Sequence, residues 1–242
     1  MTHAVRGRTR YPGTIDPRLR RTFLPTQIAG CTLWLAADRI TGLDDNDRLA
    51  QWDDLSGSGY HFSQATADYQ PLYKTGVVNG LPVLRFDGSN DDLGASGLDP
   101  GSDVTLFMVL KPVSTTPIGL LDSAPSSMNA LRNFSAGQLE WWENAPIFNL
   151  GLPNTNPILL AFVCSLNPTR RIEYHRAGAY VGAYTNASTA AMAWNGPRIG
   201  SINTRTAGCY AGDIAEVIIY GSTLASADLQ SVSDYLSAKW GI

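Results

Sequence analysis

The most acidic short stretch of the sequence has the residue types of a calcium site. Asp44, Asp45 and Asp47 lie close together in residues 38–54, a segment without a strand or helix pattern. Calcium takes six to eight oxygen ligands, mostly carboxylates and carbonyls, so these three residues are weak calcium candidates. Position 48 is Arg48, however, and no EF-hand pattern follows. We therefore expect a solvated loop and a protein without a cofactor.

Three aromatic residues are candidate contacts for a sugar ring: Trp142, Trp194 and Tyr180. Trp142 belongs to GQLEWWE, residues 137–143, whose pattern predicts a strand. Side chains alternate along a strand, so one of Trp141 and Trp142 is expected to face the core and the other to face out. A sugar ring can stack on an exposed aromatic side chain. Packing beneath a loop is the alternative for these residues.

The glutamates do not form the pair that a retaining glycosidase needs. Such enzymes place two carboxylates about 5–5.5 Å apart, which on a single strand requires alternating acidic residues. Glu140 and Glu143 are three residues apart and belong to opposite faces of a strand, while Glu173 and Glu216 are solitary. The sequence also lacks a G-x-S-x-G motif. We predict that the protein is not an enzyme.

Residues 1–28 differ in charge from the rest of the chain. They contain one acidic residue, Asp16, against six arginines. Prolines interrupt the segment and it has no helix or strand period, so we predict an extended arm without a core of its own. Arginines bind carboxylates or phosphates through paired hydrogen bonds, so such an arm can become ordered on a partner. The six arginines are Arg6, Arg8, Arg10, Arg18, Arg20 and Arg21.

Two alternatives to a partner-binding arm are a loose tail and a nucleic-acid contact. Residues 29–242 hold more acidic than basic residues, a balance that repels a duplex, and no nucleic-acid motif is present. We therefore expect no nucleic-acid partner.

The composition is that of a globular β protein. Hydrophobic residues make up 44% of the sequence and charged residues 16%, which is enough apolar material for a sizeable core. The 23 glycines and 14 prolines suit many short strands joined by turns. A β-sandwich of more than 200 residues is ordinary for a single domain, so we expect one domain over residues 29–242.

The cysteines indicate free thiols. Cys31, Cys164 and Cys209 are odd in number, far apart and without a C-x-x-C spacing, which argues against a zinc site. Cys31 and Cys164 lie in apolar runs typical of buried strands. We expect synthesis in a reducing cytoplasm.

No targeting or membrane segment is evident. The sequence begins MTHAVRGRTRYPG, in which no apolar stretch follows the charges, so we expect no secretory signal. No window approaches the ~20 apolar residues of a membrane span, and we expect no membrane partner. If the protein works outside the cell, we expect it to leave by assembly or lysis.

The best-specified elements are the last two. Residues 213–220 are rich in β-branched and aromatic residues on both faces, which predicts a central strand. Next, apolar residues recur at helical spacing: Leu229, Val232, Leu236 and Trp240. Gly241 is placed as the helix stop, and Ser226 is a candidate cap because Ala225 has no capping side chain.

These elements carry a family resemblance. The run GDIAEVIIY followed by a helix ending YLSAKWGI resembles the C-terminal part of concanavalin A-like (laminin G-like) jelly-roll domains, which occur in phage virion proteins. LWLAAD, QWDDLSGSG and NGLPVLRFDGSNDDL follow the order of that family. The resemblance implies an all-β, antiparallel jelly-roll β-sandwich with a short C-terminal helix. It implies little about activity, because one fold hosts many functions.

A second resemblance is local. YHRAGAY, residues 174–180, is similar to a strand of alginate-lyase-type jelly rolls, but the companion arginine-rich and Gln-x-His strands are missing. A lyase or glucanase is therefore a remote alternative. His175 alternates with Tyr174 and is expected on a solvent face.

The resemblance and the arm together suggest a function. We expect a non-enzymatic phage virion structural protein of the capsid or tail, a homo-oligomer or part of a larger assembly. The arm would bind other virion proteins and the jelly roll would be exposed for stabilisation or adhesion. The alternative is a lectin-like module that binds host glycans.

Overall fold

A computed structural model describes residues 23–113, 118–123, 130–135, 138–142, 146–151, 155–166, 168–185, 189, 194, 196–202 and 208–242. Within these ranges the side chains of residues 118, 123, 130, 132–135, 138–142 and 146–151 are not described. The six arginines of the predicted arm lie outside the described residues.

The described residues form sixteen strands, three short 3-10 helices and one α-helix. The 3-10 helices are Pro25–Gln27, Ala37–Arg39 and Ala67–Tyr69. The strands and the helix are β1 (Cys31–Ala36), β2 (Gln51–Trp52), β3 (Phe62–Ser63), β4 (Leu72–Val78), β5 (Leu81–Asp87), β6 (Leu93–Gly94), β7 (Val104–Pro112), β8 (Ile118–Ser123), β9 (Ala130–Ser135), β10 (Gln138–Trp142), β11 (Pro146–Gly151), β12 (Ile158–Leu166), β13 (Arg170–Arg176), β14 (Ala179–Thr185), β15 (Pro197–Ile199), β16 (Ala211–Tyr220) and α1 (Ser226–Trp240).

Within the described ranges, the strands form two antiparallel sheets of eight strands each. Sheet A has the order β14-β13-β12-β7-β16-β5-β4, and β1 pairs with the half of β16 that β5 leaves free. Sheet B has the order β11-β10-β9-β8-β15-β6-β3-β2. The predicted all-β sandwich is confirmed. No helix of the described part has the length and apolar character that crossing a bilayer requires.

Strand β16 is central, as its apolar sequence predicts. It is buried from its second residue to its last and pairs with β7 along one side. Its inner face, including Ile214 and Ile219, joins the core between the two sheets. Its outer face, including Ile218 and Tyr220, joins a second core under α1. Because both faces are covered, this strand has no need of the polar alternation of a half-exposed strand.

A buried carboxylate attaches the helix to sheet A. Glu216 accepts hydrogen bonds from Trp34 Nε1 at 2.7 Å and Tyr235 OH at 2.9 Å through Oε1. Its Oε2 accepts from Lys239 Nζ at 2.8 Å and Trp240 Nε1 at 2.7 Å. The Glu216 side chain is fully buried, so these four donors replace its water shell. Loss of solvation beside this carboxylate raises the pKa of Tyr235 far above its usual value.

The ends of the helix agree only in part with the sequence. Gly241 ends α1 in the left-handed conformation with φ 69°, as predicted. The predicted Ser226 cap is wrong, because Ser226 is the first helical residue and the extended Ala225 holds the cap position without a side-chain hydrogen bond. The predicted stripe of Leu229, Val232, Leu236 and Trp240 is buried.

Residues 23–28, assigned to the arm from sequence, pack against this helix. The rings of Phe23 and Tyr235 lie 5.7 Å apart, and Tyr220 OH donates to the Pro25 carbonyl at 2.9 Å. The folded body therefore includes residues from Phe23 onward.

Candidate functional site

The outer face of sheet A has a covered part and an open margin. Helix α1 covers β16, β7 and β12, while the margin is the hairpin of β13 and β14. Every described residue of β14 is exposed except Gly182, which is partly exposed. We call the outer surface of these two strands the β13–β14 margin, residues 170–185.

A two-residue turn fixes this hairpin. Ala177 and Gly178 both have positive φ, 47° and 77°, which matches the twist of a tight β-hairpin. The turn lies against the helix, since a Cβ at Gly178 would stand 3.3 Å from Ser233 Cβ. The hairpin is thus held next to α1 and presents its outer face beside the start of the helix.

Three polar side chains form a row on the outer face of β13. Arg171, Glu173 and His175 are spaced by two residues, which places them on one face of the strand. The Arg171 guanidinium pairs with the Glu173 carboxylate, and His175 Nε2 lies 3.4 Å from Glu173 Oε2. The row therefore offers hydrogen-bond donors and acceptors side by side.

The alternation with Tyr174 predicted a solvent-exposed His175, and this prediction is wrong. It is only 7% exposed, because Ala161 of β12 lies opposite it in register and Tyr180 packs on its ring. Burial lowers the pKa of His175, so the neutral imidazole is favoured near pH 7.

Tyr180 is the exposed aromatic residue of the margin. It is 58% exposed, and its ring packs edge-on against His175 with ring centres 5.6 Å apart. A register shift between Tyr174 and His175 brings the two rings to the same face. Of the three predicted sugar contacts, Tyr180 has the exposure that stacking requires.

A groove of about 340 Å³ adjoins the polar row at the start of α1. Its walls combine the charged row with hydroxyl groups from Ser165, Thr223 and Ser226. Its apolar lining comes from Val163, Leu224 and Leu229. Hydroxyl, carboxylate and guanidinium groups around an apolar floor match the alternating polar and apolar surface of a saccharide.

The prediction that Trp194 is an exposed sugar contact is wrong. Trp194 is 5% exposed and belongs to the core between the sheets, where its Nε1 donates to the Gly101 carbonyl at 3.0 Å. Its ring is therefore closed to a ligand. A single tryptophan between turn residues gives no sequence signal that separates this burial from exposure.

The prediction for Trp142 stays a prediction. In β10, Trp141 pairs in register with Leu131, a buried core residue, and Trp142 pairs with Ala130. The side chains of both tryptophans lie outside the described residues.

The predicted calcium candidates take part in protein hydrogen bonds. Asp45 accepts from Thr75 N at 2.8 Å and from Lys74 Nζ at 3.2 Å, and these contacts lower its pKa. Asp47 accepts from Asp44 N at 2.7 Å. Among the described residues, no three His, Cys, Asp or Glu side chains are grouped as a metal site would require. The loop instead covers the edge of β4.

Besides Glu216, two more buried carboxylates accept hydrogen bonds from protein groups. Asp213 receives two hydrogen bonds from Arg85, at 2.7 and 2.9 Å. Asp92 is fully buried and accepts from Gln64 and Arg198. These carboxylates stabilise loops and sheet junctions, so they are poorly placed to act as free acids or bases.

The fold is shared with several solved structures. The chain is similar to Trypanosoma rangeli sialidase in complex with sialic acid, at 14% identity and a TM-score of 0.61, over 88% of this chain and 33% of the sialidase. It is also similar to domain 4 of AbnA, a GH43 extracellular arabinanase from Geobacillus stearothermophilus, in complex with arabinotriose. There the identity is 15% and the TM-score 0.59, over 84% of this chain and 98% of that domain.

A third similar structure is the receptor-binding domain of botulinum neurotoxin type G, at 10% identity and a TM-score of 0.61, over 85% of this chain and 51% of that one. These likenesses show the fold. The chain spans a third of the sialidase and half of the toxin domain. No protein-family model and no curated protein sequence matches the chain.

Most residues of the candidate site were not predicted from the sequence. Tyr180 was predicted as a sugar contact, but Arg171, Ser165 and Ser226 were not assigned to a binding site. They meet because β13 pairs with β12 and because α1 starts beside them, and such long-range contacts leave no local pattern.

Proposed function

We propose that this chain is a non-enzymatic adhesion domain that binds a glycan on the β13–β14 margin. The observation that carries the proposal is the exposed Tyr180 ring beside the row of Arg171, Glu173 and His175 and the adjoining groove. An aromatic platform next to paired polar groups recognises the apolar face and the hydroxyls of a sugar. The AbnA domain, similar over nearly its whole length, was solved with arabinotriose, which supports the proposal.

The buried carboxylates support the non-enzymatic part. Glu216, Asp213 and Asp92 all accept hydrogen bonds from their neighbours. Glu173 pairs with Arg171 and lies beside His175, so its carboxylate is also held by neighbouring side chains.

A glycan array with matched variants tests this function. We expect the wild-type chain to bind a subset of glycans and Tyr180→Ala to weaken that binding by about tenfold or more. Tyr184→Ala is the control, because Tyr184 is exposed on the same strand but pairs in register with the core residue Ile172. An array without binding, or equal losses in both variants, would contradict the proposal.

We further propose that the domain serves a phage virion, anchored by its basic N-terminal segment. Support comes from the arginine-rich sequence of that segment and from the resemblance to virion jelly rolls. Because residues 23–28 pack on the body, the test removes residues 1–22 only. The truncated protein is expected to fold and bind glycan but to be missing from purified virions, and its incorporation at the normal level would refute the role.

A further inference from the structure

A second cavity lies on the outer face of sheet A, at the other end of the helix. Its volume is about 620 Å³, within the range of small-ligand sites. The β4–β5 turn at Asn79, the β13–β14 turn at Ala177 and the helix end at Gly241 surround it. Lys111 and Leu159 also line it, from strands β7 and β12.

Lys111 is partly buried, and no acidic side chain of the described residues pairs with it. Asp213 lies opposite it in register, but the Arg85 guanidinium occupies both carboxylate oxygens of Asp213. Every other lysine and arginine whose side chain the structure describes has a polar partner, whereas no contact of this kind involves Lys111. An ammonium group that has no polar partner gains from pairing with an anionic ligand.

Arg176 adds a second cation to the same lining. Its Nε donates to Tyr174 OH at 3.2 Å, which fixes the guanidinium at the cavity wall. Among the described residues, no aspartate or glutamate lines the cavity, although acidic residues outnumber basic ones in the sequence. The charged side chains of the described lining, Lys111 and Arg176, are therefore both basic.

The nearby helix C-terminus opposes an anion, but its carbonyls have partners. Helix ends carry partial negative charge on their unpaired carbonyl groups. The Ser237 carbonyl accepts from Gly241 N at 2.9 Å and Ile242 N at 3.2 Å. The Lys239 carbonyl accepts from Asn79 Nδ2 at 2.9 Å. These bonds weaken the local negative field at the cavity rim.

We propose that this cavity binds the carboxylate of an acidic saccharide residue such as a uronic acid. Lys111 and Arg176 pair with the carboxylate, and the partly exposed apolar lining from Val77 and Pro157 packs on the sugar ring. This inference rests on the proposed glycan-binding function and names its ligand class.

Calorimetry with a matched ligand pair tests the inference. The acidic ligand is tri-galacturonic acid, and the neutral one is the same trisaccharide with its carboxylates reduced to alcohols. We expect the wild type to prefer the acidic form and Lys111→Met to weaken its binding about tenfold. Lys74→Met is the control for net charge, because Lys74 pairs with Asp45 and does not line the cavity.

The outcomes separate this inference from the proposed function. Equal affinity for both trisaccharides, or equal losses in Lys111→Met and Lys74→Met, overturns the acidic site. If the neutral form still binds and Tyr180→Ala abolishes that binding, the proposed function stands. If neither trisaccharide binds and a glycan array is also blank, both proposals fail.

Discussion

Two glutamates on the outer face of sheet A have opposite surroundings. Glu216, in the central strand β16, is fully buried and accepts four hydrogen bonds from side chains of β1 and α1. Glu173, on the margin strand β13, has a side chain that is 26% exposed and interacts with Arg171 and His175. The Glu216 carboxylate therefore only stabilises the fold, whereas the Glu173 carboxylate remains accessible beside an exposed tyrosine.

The two edges of sheet A also differ in how far other parts of the protein cover them. At β4, Tyr73 exchanges backbone hydrogen bonds of 2.8 Å with Asn46 and Asp47, so the loop closes that edge. At β14, seven residues without a charge form the outermost strand among the described residues. An edge strand that is open in this way can pair with another chain. We infer that the fold is stabilised at the centre and at β4, and that binding is left to the β13–β14 margin.

The largest effect is expected from Glu216→Gln. The substitution removes the charge that four buried donors share, so we expect a loss of about 3–5 kcal/mol in the free energy of unfolding. Glu173→Gln is the matched control, with an expected loss below ~1 kcal/mol because its ion pair is partly exposed. Urea unfolding of both variants measures the difference. Similar losses would break the distinction between centre and margin.

An interior acid should give the next largest effect. Burial, with a smaller contribution from the charge of Asp87, raises the pKa of Asp91 to about 7. The protonated form is favoured in the folded state, so its contribution to stability is present at pH 4 and lost as the pH rises through about 7. Because the Asp91→Asn side chain does not ionise, we expect the variant to avoid this loss. Its free energy of unfolding relative to the wild type should be higher at pH 8 than at pH 4 by a difference on the order of 2 kcal/mol. A gain independent of pH would contradict the assignment.

The stability contribution of His175, in the β13–β14 margin, should depend on pH in the opposite direction. Burial lowers the pKa of His175 in the folded state, so its contribution is present above pH ~6.5 and lost as the pH falls through the lowered value. We expect His175→Gln to reduce the loss of stability between pH 7 and pH 5. Melting temperatures across this range measure the effect, and parallel curves for wild type and variant would refute it.

The smallest change in stability is expected in the loop that covers the β4 edge. Asp45→Asn weakens the contacts to Lys74 and Thr75 at an exposed site, where solvent screens them, so we expect a loss of stability too small to resolve by urea unfolding. Added calcium or a chelator should leave the melting temperature of the wild type unchanged. A rise with calcium would show that the loop binds the metal.

The sequence was most informative where packing follows local pattern. The strand at residues 211–220 and the helix stripe ending at Trp240 were predictable because apolar residues dominate the buried side of both. Strand β4, LYKTGVV, was not predicted, since its residues alternate poorly and loop contacts complete its pairing. Trp194, His175 and Lys111 depend on which distant strand or loop lies beside them, and the sequence alone does not reveal this.

The most direct measurement is backbone amide NMR of the isotope-labelled chain during titration with a glycan that the array identifies. We predict shift changes concentrated at residues 171–180 and 223–226, with the Tyr180→Ala variant losing them and Tyr184→Ala keeping them. Shift changes confined to sheet B would contradict a binding site on the β13–β14 margin.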